Sequence, residues 1–226
     1  MSYSDFIIVL AWPEGMVTAA GAWYDKIFLK MNVLSEKNQY RVGHSALILV
    51  DSDTNKLHYM DFGRYHTPMG YGRVRDAETD PDISISTYAE IVNGEIKNIK
   101  QILKEISNKE ASHGEGILYA SVQSGVDFKS SYKYAKKLQK KGAVKYGPFV
   151  IKGTNCSRFV SKVIRKSGIS ILKRFRLKIQ VNITPSPKRN LSITNPKFYK
   201  VINNNFSEIN RSILRAYFID IEKENE

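Results

Sequence analysis

The apolar and polar positions in the first quarter of the chain predict three β-strands. Residues Phe6 to Ala11 form an unbroken apolar run rich in Ile, Val and Leu, which is typical of a buried strand. Residues Arg41 to Val50 predict a second strand, and the polar cluster from Asp51 to Asn55 predicts a hairpin turn. The return strand is then expected over Leu57 to Phe62. This part of the chain is therefore organised around a hairpin.

Later segments carry apolar residues at helical spacings of three and four. Helices are predicted over Glu95 to Lys109, over Phe128 to Lys141, and in the segment that runs from Asn155 to Gly168. Strands are predicted over Gly116 to Gln123 and over Tyr146 to Ile151. Less regular patterns predict a helix over Thr18 to Met31, a basic strand or strand pair over Leu172 to Ile183, and a last strand or helix over Ser212 to Ile221.

Length and composition indicate a single domain. The chain has 226 residues, of which 42% are hydrophobic, and it contains no internal repeat or long linker. We expect one domain over residues 1–226, with a basic C-terminal extension from about residue 170 to residue 226. The longest apolar run, Phe6 to Trp12, is too short to cross a membrane, and no basic leader precedes it. The absence of a visible signal peptide favours the cytoplasm, although a signal that had been removed would leave the compartment undecided.

Positive charge is concentrated in the second half of the chain. Lys and Arg number 35 against 22 Asp and Glu, and the formal net charge is +13. From Phe128 to Ser207 there are 20 Lys and Arg and no acidic residue. This pattern indicates either an anionic ligand on a basic face or a solvated basic surface. Because no nucleic-acid motif accompanies the charge, nucleic acid is not the expected partner.

Cys156 is the only cysteine, so it cannot form an internal disulfide. It follows a turn-prone Gly-Thr-Asn and begins an apolar-periodic segment, with Asn155 or Thr154 as the expected helix cap. In the first turn of a helix, unpaired backbone N–H groups and the helix dipole favour an anion. Arg158 and Lys162 add positive charge nearby. These features predict a reactive thiolate, and the alternative is a small buried apolar side chain.

A cysteine nucleophile needs a base and a group that orients the base. Among the four histidines, His44 is the strongest candidate because it opens an apolar strand directly after Gly43. In the predicted hairpin His44 lies opposite about residue 63, which brings Asp61 within diagonal reach. Asp61 is therefore the expected orienting group. His58 lies nearer the turn and on the opposite face of its strand, and it is the second choice.

The oxyanion of an attacked carbonyl needs hydrogen-bond donors. A backbone N–H of Cys156 or Ser157 at the helix start is the expected first donor. The second donor is expected among three tyrosine hydroxyls, those of Tyr59, Tyr65 and Tyr71.

The segment from Gly63 to Pro81 predicts an aromatic and charged loop. A loop of this composition beside a hairpin is a candidate for substrate contact. Together with Tyr59, the residues proposed to bind substrate are Tyr65, Tyr71 and Arg73. The alternative is a structural loop that is held together by Arg–Asp pairs.

Two motifs carry a resemblance to a known group of enzymes. A Gly-His that opens an apolar strand at Gly43-His44, and Asn155-Cys156-Ser157 with Phe159-Val160 at a helix start, resemble the circularly permuted NlpC/P60 group of papain-like enzymes. Lecithin:retinol acyltransferase-like proteins share this order, in which the histidine precedes the cysteine. The resemblance covers residues 41–62 and 146–167. It implies an α+β papain-like fold with a central antiparallel sheet, Cys156 as the nucleophile at a helix N-terminus, His44 as the base and a polar third residue. The combination of Trp12-Pro13-Glu14 and Tyr71-Gly72-Arg73 resembles an uncharacterised bacterial family.

The expected function is that of a cysteine hydrolase of the amidase or peptidase type, which cleaves an amide or ester bond of a peptide, amide or acyl-lipid substrate through a thioester. One alternative is a lipid-directed acyltransferase that uses the same Cys–His pair. The other is a protein without catalytic activity that binds an anion or nucleic acid. A single cysteine and scattered histidines do not form a tetrahedral set, so neither a metal nor another cofactor is expected.

Overall fold

A computed structural model describes residues 4–18, 34–35, 39–41, 43–150, 152–179 and 186–210 of the protein. In chain order the strands in these ranges are β1 (Asp5–Trp12), β2 (Met16–Thr18), β3 (Leu34–Ser35), β4 (Gln39–Arg41), β5 (His44–Asp51), β6 (Lys56–Gly63), β7 (Tyr71–Arg75), β8 (Ile91–Val92), β9 (Glu95–Ile96), β10 (Leu118–Val126), β11 (Val144–Lys145), β12 (Lys197–Ile202) and β13 (Asn205–Asn210). The α-helices in these ranges are α1 (Ile99–Ser107), α2 (Phe128–Gln139), α3 (Cys156–Lys166), α4 (Ile171–Lys178) and α5 (Pro187–Thr194).

Eight strands form one antiparallel sheet in the order β11-β7-β6-β5-β1-β10-β12-β13. β1 is hydrogen-bonded to β5 on one side and to β10 on the other, so it lies in the interior of the sheet. An interior strand that is covered on both faces needs apolar side chains in both directions, which explains its unbroken apolar run. The predicted fold class, α+β with a central antiparallel sheet, is confirmed.

The two faces of the sheet bury two separate cores. On one face, Ile7 and Val9 of β1 pack with Phe159 and Val163 of α3, and α2, α4 and α5 contribute to the same core. On the other face, the alternate side chains of β1 pack against the apolar side chains of α1, which include Ile102. Each fully buried aliphatic side chain stabilises the fold by about 1.5–3 kcal/mol, so helix packing on both faces holds the sheet rigid.

The predicted hairpin is confirmed as β5 and β6. In its register Ala46 lies opposite Asp61, and the same register extended by two residues puts Gly63 opposite His44, as the sequence predicted. The turn is closed by the Asp51 carboxylate, which accepts from the Thr54 hydroxyl at 2.8 Å. A short turn with its own side-chain hydrogen bonds leaves little freedom for register slippage.

Two predicted strands are wrong. Over residues 146–150, the described part of the strand predicted for Tyr146 to Ile151, only Tyr146 makes a bridge, an isolated parallel one, because Pro148 has no N–H to donate and follows a glycine. The segment expected as a basic strand from Leu172 is helix α4, which begins when the Ser170 hydroxyl accepts from the Lys173 N–H. Its unbranched Leu, Lys and Arg side chains are good helix formers.

The other predicted helices and strands in the described ranges are confirmed with shifted ends, except at Glu95–Ile96, where a strand precedes α1. The loop predicted for Gly63 to Pro81 is wrong over Tyr71–Arg75, which form β7 and pair with β6. The helix predicted for Thr18 to Met31, apart from Thr18 at the end of β2, and the element predicted for Ser212 to Ile221 lie outside the described residues. Every helix in the described ranges is too short or too polar to span a bilayer.

The segment after residue 170 is joined to the main sheet. β12 pairs with β10 and β13 with β12, and Leu191 and Phe198 are fully buried in the core beside α3. The division into one domain and a basic C-terminal extension remains a prediction.

Candidate active site

Cys156 is the first residue of α3. The backbone of Asn155 is extended, with φ −138° and ψ 179°, and its side chain accepts from the Arg158 N–H at 2.9 Å, so Asn155 is the helix cap. The preceding Thr154 is tied to β11 by its N–H, which donates to the Lys145 carbonyl at 3.0 Å. These bonds hold the helix start at the sheet, and Cys156 is 7% exposed.

His44 is held at the first position of β5 by the two residues around it. Gly43 has φ +72°, and a Cβ there would lie 2.9 Å from the Trp12 carbonyl oxygen, so this position needs glycine. The Trp12 ring stacks on the His44 ring with centroids 5.7 Å apart. The imidazole is therefore packed in one orientation, with 13% of its side chain exposed.

Asp61 is completely buried, and four side chains surround its carboxylate. Arg75 donates from Nε to Oδ1 at 3.1 Å and from Nη2 to Oδ2 at 2.7 Å. The hydroxyls of Tyr65 and Tyr59 donate to Oδ2 at 2.9 and 3.3 Å. The fourth side chain is His44, whose Nε2 lies 3.3 Å from Oδ2, at ion-pair distance but off the line of a hydrogen bond.

His44 also interacts with Cys156: the thiol raises the pKa of His44, and the imidazole lowers the pKa of Cys156. Since Nε2 faces Asp61, Nδ1 is the ring nitrogen that remains for the thiol. The backbone of Ser45, the residue after His44, also lowers the pKa of the thiol. The three side chains that the sequence analysis put forward for catalysis are thus connected in the order Cys156, His44, Asp61.

The charges of this cluster stabilise one another. Burial alone would raise the pKa of Asp61, but His44 and Arg75 lower it to about 2. Burial alone would lower the pKa of His44, but Asp61 and Cys156 raise it to about 9. Burial opposes ionisation of Cys156, yet the hydrogen bond and charge of His44 bring the thiol pKa below its ordinary value. The arrangement therefore favours a thiolate beside an imidazolium at neutral pH.

His58, the second choice for the orienting group, lies elsewhere. Its ring packs against Phe128 and Tyr132 of α2, with centroids 5.2 and 5.3 Å away. Burial lowers its pKa. In the structure it is Asp61, and not His58, that faces His44.

The four residues proposed for substrate contact have different surroundings. Tyr59 is 3% exposed, and its hydroxyl, like that of Tyr65, is directed to Asp61. Tyr71 is half-buried at the start of β7 and accepts from the Thr67 hydroxyl through its carbonyl. Arg73 donates to both carboxylate oxygens of Asp80 at 2.6 Å. An Arg–Asp pair of this kind was expected if the loop had a structural role instead of contacting substrate.

Arg75 is the site residue that the sequence analysis missed. It lies directly opposite Asp61 in the register of β6 and β7, and its guanidinium carbon is 3.4 Å from the centroid of the Tyr65 ring. His113 stacks on the same tyrosine at 5.2 Å. Arg73 and Arg75 are two residues apart on β7 and therefore lie on the same face of the strand. This spacing was the available signal, and the register with β6 puts Arg75 rather than Arg73 opposite Asp61.

A cleft of about 670 Å³ opens beside the side chains that surround Asp61. Tyr65, Arg75 and His113 form its wall toward the buried carboxylate, and Asp80, Asp82 and Glu105 line it farther out. Because Arg75 and Lys109 line the cleft as well, its wall carries charges of both signs.

The sheet and the helix that carries Cys156 define a papain-like α+β protein. A solved structure of the type VI secretion system effector TseH is similar to this chain, with a TM-score of 0.61 and 18% sequence identity over 90% of this chain and 97% of that one. The chain belongs to the type VI secretion system effector TseH-like family, whose sequence model matches residues 7–170. No curated protein matches the chain.

Proposed function

We propose that this protein is a cysteine hydrolase that cleaves an amide or ester bond through a thioester intermediate. The observation that supports the proposal is the continuous chain of contacts from Cys156 through His44 to the buried carboxylate of Asp61. A thiolate, a base and a group that orients the base are the parts that nucleophilic catalysis by cysteine requires.

In the proposed reaction the Cys156 thiolate attacks the carbonyl carbon of the substrate. The negative charge that develops on the carbonyl oxygen is stabilised by backbone N–H groups in the first turn of α3, which have no partner within the helix. The His44 imidazolium gives its proton to the leaving amine or alcohol as the thioester forms. The neutral imidazole then takes a proton from water, which attacks the thioester and releases the acid.

Asp61 keeps the imidazole of His44 oriented and stabilises its charged form. Arg75 acts through Asp61 and is a positioning residue, and Tyr59 and Tyr65 contribute their hydroxyls to the same carboxylate. Tyr71 and Arg73 remain proposed substrate contacts on the loop side of the site.

Two further assignments belong to this proposal. The order of His44 before Cys156 supports a place in the permuted NlpC/P60 branch, related to the lecithin:retinol acyltransferase-like proteins. Membership in the TseH-like family supports a role as an effector of a type VI secretion system.

The test is the rate of covalent labelling by iodoacetamide at neutral pH, followed by mass spectrometry. Cys156→Ala is expected to abolish labelling, because no other thiol exists. His44→Ala is expected to slow labelling about tenfold or more, because the thiolate loses its imidazolium partner. His58→Ala is the matched control, and it should label at the wild-type rate. Equal rates for wild type and His44→Ala would contradict the pairing.

A second measurement separates hydrolysis from acyl transfer. Wild type and Cys156→Ala are incubated with a panel of peptide amides and acyl esters, with and without an added amine acceptor. Release of free acid by wild type alone supports the hydrolase. Transfer of the acyl group to the amine without free acid would support the acyltransferase instead.

A further inference from the structure

A surface formed by the end of α3 and by α4 combines positive charge with exposed apolar side chains. It surrounds a pocket of about 490 Å³ and is called here the basic–apolar surface. Its cationic residues are Lys162, Arg165, Lys166, Arg174 and Lys178, and its apolar residues are Ile171, Leu172, Phe175 and Ile179.

The apolar part of this surface is concentrated on one helix. Four of the eight large apolar side chains that are exposed in the described ranges lie on α4 or directly after it. Ile171 is 82% exposed and Phe175 is 57% exposed. Single exposed apolar residues are ordinary, but a group of four on one short helix marks a surface that contacts another apolar phase.

The cationic part is not neutralised by any acidic residue in the described ranges. Within the described ranges none of the five cations takes part in an ion pair, and no acidic residue lines the pocket. The Nε atom of Arg165 is buried and has no hydrogen-bond partner there. Burial and the charges of neighbouring cations, among them Arg165, lower the pKa of Lys162. A bound anion would relieve this repulsion and satisfy the guanidinium.

We propose that the basic–apolar surface binds a bilayer that contains anionic phospholipid, with a headgroup phosphate in the pocket and the apolar side chains of α4 among the acyl chains. Cations around a pocket match the headgroups of an acidic leaflet, and Leu, Ile and Phe on the adjoining helix match the hydrocarbon below them. Nucleic acid matches only the charge, because aliphatic side chains gain little against a phosphate backbone.

The surface is connected to the candidate active site through α3. Arg165 lies nine residues after Cys156, which corresponds to about 14 Å along the helix axis. A bilayer bound at the C-terminal end of α3 would therefore hold the thiol at a defined height above the headgroups. The binding itself does not depend on the proposed chemistry, so it is expected to survive Cys156→Ala.

The experiment is sedimentation of the full-length protein with vesicles of phosphatidylglycerol and phosphatidylcholine, compared with vesicles of phosphatidylcholine alone. Two double variants test the two parts of the surface. Lys166→Glu with Lys178→Glu reverses exposed charges, and Ile171→Ser with Phe175→Ser removes exposed apolar groups. The matched controls are Lys56→Glu with Lys100→Glu and Tyr88→Ser with Val92→Ser, all at exposed positions elsewhere.

Binding is expected only to the vesicles with phosphatidylglycerol, and it should weaken with added salt. Each cation near an acidic surface contributes about fivefold in affinity, so the Lys166 and Lys178 variant should bind at least about twenty-fold more weakly. The Ile171 and Phe175 variant should also bind at least about tenfold more weakly, and both controls within about twofold of wild type.

Three results would overturn the proposal. The first is no binding to vesicles that contain phosphatidylglycerol. The second is equal binding to vesicles of phosphatidylcholine alone. The third is binding to duplex DNA as tight as to the vesicles and unchanged by the Ile171 and Phe175 variant, which would make nucleic acid the ligand. Because binding and not turnover is measured, failure of the hydrolase proposal would leave these results interpretable.

Discussion

Arg75 and Asp61 form a buried ion pair across β6 and β7, with Nη2 2.7 Å from Oδ2 and Nε 3.1 Å from Oδ1. Arg75 is 3% exposed and Asp61 is fully buried. Nη2 also donates to the Ala111 carbonyl at 2.9 Å. A carboxylate with these partners stays ionised inside the protein, and it is this charge that faces the His44 ring.

Replacing Arg75 should destabilise the protein strongly. Arg75→Met leaves the Asp61 charge buried without its cation, and the expected loss in the free energy of unfolding is about 3–5 kcal/mol. Arg73→Met is the matched control, because it breaks a partly exposed pair with Asp80, and it should cost about 1 kcal/mol. Urea unfolding measures both. Similar losses for the two variants would contradict the special position of Arg75.

Asp61→Asn should shift the pH dependence of thiol labelling. The wild-type thiolate is stabilised by an imidazolium that persists until the pH passes about 9, the pKa of His44. Without the carboxylate the pKa of His44 falls, so the pKa of Cys156 rises and labelling begins at a higher pH. At neutral pH the rate should fall about tenfold. Asp80→Asn, at a carboxylate outside the cluster, should leave the iodoacetamide pH profile unchanged, and a wild-type profile in Asp61→Asn would refute the role of Asp61.

Acid should remove a defined part of the stability. The pKa of Asp61 is depressed in the folded state to about 2, against 3.8 as its ordinary value. A depressed pKa contributes stability above the unfolded value, and that contribution is lost as the pH falls toward the folded value. The loss should amount to about 2–3 kcal/mol between about pH 5 and pH 2. Chemical unfolding at several pH values measures it, and the slope in this range should be shallower in Asp61→Asn. An unchanged slope would show that Asp61 does not titrate as described.

Removing the cap of α3 should affect both stability and thiol reactivity. Asn155→Ala frees the Arg158 N–H and should cost about 1 kcal/mol. Because Cys156 is the next residue, labelling by iodoacetamide should also slow. Ser170→Ala removes the cap of α4 and serves as the control: it should lower the melting temperature without changing the labelling rate. Slower labelling in both variants would indicate a general effect of instability.

Much of the arrangement around the thiol was predictable from short-range features. The apolar run of β5 and the turn after Asp51 determined the hairpin and its register, and the register brought Asp61 near His44. The Asn155 cap was visible because Asn before an apolar-periodic segment is a common helix start. Each of these features depends on residues that are close together along the chain.

The misassigned segments show where short-range reasoning stops. The strand expected after Tyr146 was judged by its apolar residues, while the lost N–H of Pro148 prevents regular pairing. The helix α4 was read as a strand because basic and apolar residues are mixed along it, and only packing identifies Leu177 as its buried residue. Arg75 was passed over because its segment was predicted as a loop, so the sequence showed neither β7 nor its register with β6.

The sequence by itself indicated the three candidate residues: the cysteine at a helix start, the histidine at a strand start, and the carboxylate from the hairpin register. Their meeting depends on distant segments: α3 packs on the sheet through side chains more than 100 positions from β5 in sequence, and this packing brings the thiol to the imidazole. The contact between Arg75 and Asp61 was likewise decided by the tertiary structure. A buried charge is tolerated only where folding supplies its partner, and no local pattern records which partner that is.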